Sequence, residues 1–399
     1  MNDHLATSVG DRVRFYREAA HKTKTVVAGL AGITPEYLYQ IEGGKKLPTI
    51  AVLAQLAEVL RVDPGQLLSD LPAPVRPQTS SDAGTALAQA LTGPAPARVS
   101  PPPELSKLRA DVSNAWHIWQ TEPHRYSLLT AQLPALIANT EAALRVSGTD
   151  LRAATRYAAD LYGLVRTVAK RIGRDDLSLL VADRAQRLAE EADDPVRLAA
   201  AQWNMTQVLL AGNDAPGAEQ VAVHARESLK KLVADGDADA MALSGALLLL
   251  AAIAAVRNGN GWTARDRLRE AAPLAKHVGE RNACWTAFGP TNVAMYAVSV
   301  EVESGEAVEG LRIAEQIDHD RSPSIERRVA FLLEQAKGYG QRRDYASALL
   351  LLKTAELEAP EDVENRPAAH ALLRTVVQRG RRSVSAEAVR LAKRVGVPA

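Results

Sequence analysis

Between Val9 and Leu68, apolar residues recur every three or four positions between short polar or glycine-bearing turns, a spacing that predicts five short helices. The first is expected from about Val9 to Ala20, with Val13 and Tyr16 or Arg17 at helical spacing. Thr23 reads as the cap of the second, its hydroxyl accepting from backbone N–H groups two or three residues on, with Val27 and Ala28 facing inward. Gly32 marks a turn in which a residue without Cβ takes positive φ freely. Thr34 caps a third helix and Pro35 fills its first position, where no N–H is needed; Ile33, Leu38 and Ile41 point to the core. Thr49 caps a fourth helix striped by Ile50, Leu53, Leu56, Ala57 and Leu60, and Asp63-Pro64 opens a fifth.

The same period resumes at Glu104 and runs to Val397 with few β-branched runs and no strand-like alternation, so the body is expected to be all-helical. Punctuation at Thr121-Glu-Pro123, Ser147-Gly-Thr-Asp150, Gly173, Asp193-Asp-Pro195, Gly212-Asn-Asp214, Asp235-Gly-Asp237, Asn258-Gly-Asn-Gly261, Gly279, Ser304-Gly305, Ser322-Pro323 and Gly340 divides it into about a dozen helices. Between the two regions, residues 71–103 shift to Pro, Ala, Ser, Thr and Gly and end in Pro101-Pro102-Pro103. They read as a flexible linker, with Thr85 to Leu91 as a short helical piece. The expected organisation is therefore an all-α chain: a five-helix domain over 1–70, a proline-rich linker over 71–103 and a helical domain over 104–399.

Residues 23 to 49, two short helices around a glycine turn, have the pattern of a DNA-binding helix-turn-helix. The third helix leaves Pro35, Glu36, Tyr37, Tyr39 and Gln40 facing outward, where its N-terminal part can reach base edges. Residues 1–70 balance eight Lys or Arg against eight Asp or Glu, but Lys22, Lys24, Lys45 and Lys46 gather around the helix pair. The stretch Val9 to Leu68 resembles the phage-repressor-type (XRE, Cro/C1) helix-turn-helix family, and Tyr37-Leu-Tyr-Gln-Ile-Glu-Gly-Gly-Lys-Lys-Leu-Pro48 is similar to its closing signature.

The resemblance implies that Arg17 pairs with Glu42. It also implies that Lys24 stands where the family places a phosphate-approaching residue, usually glutamine, and that base readers fall on Pro35, Glu36 and Gln40. Gln40 offers a bidentate amide suited to adenine, Glu36 accepts only, as from cytosine N4, and Pro35 reads no base by hydrogen bonding. The expected base-reading set is thus Gln40, Glu36, Tyr37 and Pro35; the phosphate set is Lys24, Lys45, Lys46, Thr23 and Gly43.

In the body, Ala218, Ala264, Ala307 and Ala346 each open a helix after a turn, spaced 46, 43 and 39 residues apart. A small residue at a repeated position lets antiparallel helices pack closely, so the body resembles a degenerate tetratricopeptide-like solenoid. The whole chain resembles actinobacterial XRE-type regulators with a helical C-terminal sensor, through the run Phe288 to Val293 and the run Ala355 to Glu361. Solenoids bind on the concave face formed by the first helix of each pair. Trp203, Asn204 and Gln207, and Trp285, Phe288, Asn292 and Tyr296, are the expected ligand residues, because an asparagine amide offers a donor and an acceptor suited to a peptide backbone. The competing reading makes these asparagines helix bridges and the aromatics core.

Tyr157, Tyr162, Trp262, Trp116 and Trp119 read as packing, and His224, His277 and His319 lack a second ligand at metal spacing. The single Cys284 excludes a disulfide framework and is expected to be a buried small hydrophobe. The segment 365–399 holds eight Lys or Arg against one acid and reads as a solenoid end cap more readily than as a DNA arm. No nucleophile elbow, Walker loop, His-Glu-x-x-His or dinucleotide fingerprint occurs, so no catalytic residue, metal site or cofactor is expected. A near-neutral net charge, a polar N-terminus and a longest apolar run of only Leu247 to Val256 predict a soluble, cytoplasmic protein with no membrane partner. The expected function is a homodimeric regulator of double-stranded DNA with a peptide, small-molecule or protein effector on the solenoid. The alternative is an interaction scaffold or anti-regulator with a docking helix-turn-helix and no direct operator binding.

Overall fold

The computed structural model describes residues 2–20, 22–60, 62, 64–68, 78–93, 104–145 and 151–397. The chain divides into two compact units, one over residues 1–76 and one over residues 77–397.

The first unit contains α1 (Asn2–Ala19), α2 (Lys24–Leu30), α3 (Pro35–Glu42), α4 (Ile50–Leu60) and α5 (Pro64–Leu68). Three threonines start its middle helices as expected: Thr23, Thr34 and Thr49 accept from the backbone N–H of Val26, Tyr37 and Val52 at 3.3, 3.1 and 3.3 Å. Val9, Val13, Val27, Ala28, Leu38, Ile41, Leu56 and Leu67 are buried together in its core. The helix α1 starts seven residues earlier than its apolar period suggested. The expected cap at Asp63 lies outside the described residues.

The second unit begins with α6 (Gln78–Thr92), which corrects the linker reading. Leu87 and Leu91 are buried among the helices that follow, Arg174 donates to the Gly84 carbonyl at 3.0 Å, and Arg184 to the Leu91 carbonyl at 3.4 Å. Composition alone underrated a segment that two leucines anchor. The rest of the expected linker, 71–77 and 94–103, and the turn at 147–150 lie outside the described residues.

Helices then succeed one another as antiparallel neighbours: α7 (Leu105–Thr121), α8 (Arg125–Leu144), α9 (Leu151–Arg171), α10 (Asp175–Glu191), α11 (Pro195–Ala211), α12 (Ala215–Ser228), the short α13 (Lys230–Ala234), α14 (Ala238–Arg257) and α15 (Gly261–Val278). They continue as α16 (Pro290–Glu303), α17 (Ala307–Ala314), α18 (Ile325–Gln341), α19 (Tyr345–Glu358), α20 (Pro360–Asn365), α21 (Pro367–Arg379) and α22 (Arg382–Arg394). Each first helix packs on its partner and on the first helix of the next pair, α9 on α11, α11 on α14, α14 on α16 and α16 on α18. This is an all-α, tetratricopeptide-like solenoid, with no strand among the described residues.

Close packing within a pair follows a repeat different from the one the sequence suggested. The fourth residue of each second helix is small and buried: Ser178, Ala218, Ala264, Gly310 and Ala348. Ala346 is exposed, because Asp344 caps α19 and sets the helix face two residues later than a count from the turn implied. Ala307 is buried, but it opens α17 and Gly310 holds the equivalent position.

Helix α14 is long and apolar enough to cross a membrane by length and composition, which the count of its longest apolar run had missed. Its apolar window is 89% buried by the surrounding helices, as expected of a central core helix. On it, Gly245 underlies the fully buried Phe288: an added Cβ would lie 2.0 Å from the Phe288 ring.

The start of α8 is tied to the other end of the solenoid. Glu361 accepts from the backbone N–H of Tyr126 at 2.7 Å and of Ser127 at 3.2 Å, capping α8 from 235 residues away in sequence. Beside it, the fully buried Arg125 donates to Asp362, which also takes Arg366 at 2.5 Å and the Tyr126 hydroxyl at 3.2 Å. Glu326 on α18 accepts from Arg171 and from the Trp119 indole N–H at 3.0 Å. These buried and half-buried groups form a clasp that ties α7 and α8 to α18 and α20. Within the basic segment 365–399, Asp362 thus pairs with Arg366, and Glu356 pairs with Arg394 at 2.6 Å.

Candidate functional site

In the first unit, α3 is seated by one buried ion pair. Arg17 donates from Nε to Glu42 Oε1 at 2.6 Å and from Nη2 to Oε2 at 3.0 Å, so a rigid fork on α1 grips the last turn of α3. A third donation, to the Lys22 carbonyl at 3.2 Å, ties the same guanidinium to the chain entering α2. With Leu38 and Ile41 fully buried beneath, Pro35, Glu36 and Tyr39 are exposed as the spacing predicts, whereas Gln40 is half-buried and Tyr37, also half-buried, packs against the core. Gly32 has φ of 65° at the turn between α2 and α3.

The three lysines surround this helix. Lys45 and Lys46 are exposed at its C-terminal end, with Lys45 Nζ 6.0 Å from the Tyr39 ring centre and Lys46 Nζ 5.8 Å from that of Tyr37. Lys24 is half-buried, 3.5 Å from Glu42 and 4.7 Å from the Tyr39 ring centre. Its ammonium therefore already has an intramolecular partner. Thr23 and Gly43 are exposed on the same unit, with the Thr23 hydroxyl engaged in its cap.

In the second unit, a cavity of about 290 Å³ is lined by five successive first helices: Lys170 and Arg171 on α9, Leu210 on α11, Leu250 and Ile253 on α14, Met295 and Tyr296 on α16, and Arg327 and Phe331 on α18. A smaller one of about 50 Å³ adjoins it, bounded by Trp116, Trp119, Arg166, Trp203 and Trp285; Arg171, Gln207, Tyr296 and Arg327 border both. The groove expected on the first helices is thus present.

The candidate ligand residues divide. Trp203, Gln207, Trp285 and Tyr296 line these chambers. Asn204 and Asn292 do not, and both are buried. The Asn204 carbonyl oxygen accepts from Arg166, and that of Asn292 accepts from Arg327 Nε at 3.1 Å. They support arginines, the bridging role that was the competing reading. Phe288 is core, beneath the loop leading into α16.

That loop is held in an unusual backbone. Cys284, Trp285 and Ala287 have φ of 46, 58 and 50°, a left-handed region that costs side-chain-bearing residues about 1 kcal/mol each. Its return is lateral: Trp285 stacks on Trp116 at 4.7 Å with the rings 3° from parallel, and Asn282 exchanges hydrogen bonds with Gln120 at 2.6 and 3.2 Å. Cys284 is half-buried, its thiol pushed up to about 12 by burial.

The structure adds residues that the sequence reading missed: Arg166, Lys170, Arg171 and Arg327, all directed to the groove. Their signal was an arginine inside the run Leu164-Val-Arg-Thr-Val-Ala169, with Lys170 one turn on, too apolar a setting for a solvated cation. Burial lowers Arg166 to about 9 and Lys170 to about 7. Tyr162 is packing as expected, its hydroxyl on Glu141, whereas Trp262, expected as packing, is 78% exposed.

A capped, glycine-turned helix pair seated by a buried Arg–Glu fork is the geometry of a helix-turn-helix domain. Residues 8–71 match the family model described as a helix-turn-helix domain, and that segment is one. No curated protein matches the chain in sequence. Among solved structures, the chain is similar to Bacillus thuringiensis PlcR in complex with the peptide PapR7 and DNA, at 12% identity over 68% of this chain and 95% of that one, with a TM-score of 0.31. It is similar to a Rap protein complexed with competence and sporulation factor, at 13% identity over 98% and 99%, with a TM-score of 0.44. The apo form of the competence regulator ComR from Streptococcus vestibularis matches at 10% identity over 99% and 100%, with a TM-score of 0.20.

Proposed function

We propose that this protein is a sequence-specific DNA-binding transcriptional regulator whose solenoid binds an effector in the groove along its first helices. The observation that carries the reading is the seating of α3: the Arg17–Glu42 fork and the Leu38 and Ile41 anchors hold it while Pro35, Glu36 and Tyr39 stand exposed. In this reading α3 enters the major groove, where Gln40 and Glu36 meet base edges and Pro35 and Tyr37 make apolar contact. Lys45 and Lys46 meet phosphates. Lys24 joins them by exchanging Glu42 for a phosphate oxygen, at little cost because Glu42 keeps Arg17. Two copies bind together, placing two recognition helices in successive major grooves. The effector prefers one of two arrangements of the protein and shifts their populations accordingly.

The test is selection of bound fragments from genomic DNA by the purified full chain, followed by titration of the best site. Replacing Lys24, Lys45 and Lys46 by alanine is expected to abolish tight binding while leaving the helical circular dichroism unchanged. It should also flatten the salt dependence by about 0.9 logarithmic units per lost phosphate contact. Unchanged binding and an unchanged salt slope would favour the scaffold, in which the head docks on a protein.

A further inference from the structure

We infer that the groove of the solenoid holds an organic carboxylate with an apolar body, its anionic head taken by Arg166, Gln207 and Arg327; the inference rests on the effector reading of that groove. Arg166 is 2% exposed, yet among the described residues it has no ion-pair partner. One Nη donates to the Asn204 carbonyl oxygen, and Nε has no partner while the guanidinium lines the smaller chamber. A buried cation without an anion is costly, several kcal/mol after relaxation, and proteins normally pair it. Nearby donors share this shortfall. The Gln207 Nε2 and Arg171 Nε are buried and unpartnered, and Arg327 gives its Nε to an amide and lies 4.4 Å from the Tyr296 ring centre. The carboxylates bordering the two chambers are already engaged: Glu326 accepts from Arg171 and Trp119 and lies 3.9 Å from Arg366, Glu303 pairs with Arg257 at 2.8 Å, and Glu334 lies 3.8 Å from Lys337. The site thus has an excess of donors and of positive charge.

The adjoining chamber of about 290 Å³ supplies the other half of the specificity. Leu210, Leu250, Ile253, Met295 and Phe331, all buried, form its apolar wall, while Lys170, Ser299, Glu334 and the Arg257–Glu303 pair form its polar one, so a body with one apolar face fits behind the head. A phosphate monoester would bring a second charge and an apolar tail would be unnecessary; a single carboxylate on an apolar stem uses both chambers. The stem belongs either to a free organic acid or to the C-terminal residue of a peptide.

Thermal melting of the full chain at constant ionic strength tests this, with phenylacetate and N-acetylphenylalanine as the acids and their primary amides as neutral controls. Each acid that binds is expected to raise the Tm, by roughly 2–5 °C at ten times its Kd and with the logarithm of concentration beyond, while the amides do not. A larger effect of phenylacetate assigns a free acid, and a larger effect of N-acetylphenylalanine a peptide terminus. Arg166→Gln should remove the rise. Arg327→Gln, a change at a half-buried position, should weaken it and guards against misfolding of the first variant. No rise with either acid, an equal rise with the amides, or a rise undiminished in both variants would overturn the inference. DNA binding by the helix-turn-helix is measured separately, so a chain that binds acids but no DNA refutes the regulator and not the site.

Discussion

Replacing Asp362 by asparagine changes one atom's charge at the centre of the clasp. Asp362 has no exposed surface and holds two guanidiniums, the fully buried Arg125 and the 6% exposed Arg366, together with the Tyr126 hydroxyl. The substitution keeps the shape and removes the anion, leaving Arg125 without its ion-pair partner and Arg366 with Glu326 at 3.9 Å. Breaking a buried pair from one side costs about 3–5 kcal/mol, because the surviving charge stays desolvated. For a domain of this size each kcal/mol moves the Tm by roughly 2–4 °C, so a fall of roughly 6–20 °C is expected. Far-ultraviolet circular dichroism follows the helices. Tryptophan emission follows the clasp itself, since Trp119 lies 5.3 Å from Tyr126 and 4.9 Å from the Arg125 guanidinium. A second protein, with Arg125→Met, Asp362→Leu and Arg366→Met together, separates charge from shape and should recover most of the loss. A Tm within about 2 °C of wild type for Asp362→Asn would show that the clasp is hydrated or dispensable, and the reasoning from its buried charge would fail.

Gly245→Ala should destabilise the solenoid by about 1–3 kcal/mol in urea denaturation, and Phe288→Leu in the same chain should relieve part of that, because the new methyl meets the ring. Thr34→Ala removes the cap accepted from Tyr37 and should cost about 1 kcal/mol in the first unit, read as loss of amide exchange protection in α3. Lys170, lowered by burial to about 7 against an ordinary 10.5, is protonated in the unfolded chain but not the folded one between those values. Stability should therefore rise with pH from 7 to 10.5 more steeply in wild type than in Lys170→Met; parallel curves would contradict the shift.

What was legible in the sequence was local. Thr23, Thr34 and Thr49 announced their helices because an N-cap depends on residues two and three positions away. The Arg17–Glu42 pair was legible only through a family resemblance, since nothing in the spacing of residues 25 apart requires it. The groove residues escaped for the same reason. Asn204 and Asn292 were read by their own chemistry as ligand donors, but that capacity is taken by arginines 38 and 35 residues away. The helix α6 was legible only over Thr85 to Leu91, because its Ser- and Thr-bearing first half shows no apolar period; Leu87 and Leu91 anchor the longer helix once α8 offers a surface.

Glu326 joins the clasp to the groove, and this makes the two interdependent. It accepts from Arg171 at the groove and lies beside Arg366, which in turn grips Asp362. Arg171 and Arg366 hold its carboxyl well below the usual range although burial, the largest influence, pushes the other way. An acid at Arg166 adds a negative charge next to Glu326 and competes with it for the same cations. Any free energy that the acid loses to Glu326 and Asp362 is, by reciprocity, lost by the clasp when the acid binds. Asp362→Asn removes one of those repelling charges. With an effective dielectric constant of about 20, a unit charge across one or two helix widths is worth roughly 1 kcal/mol. Phenylacetate should therefore bind the variant about fivefold more tightly than wild type by isothermal titration, at a temperature where both are folded. Equal affinities would mean that the groove does not feel the clasp, and an effector there would need another route to alter the shape of the solenoid.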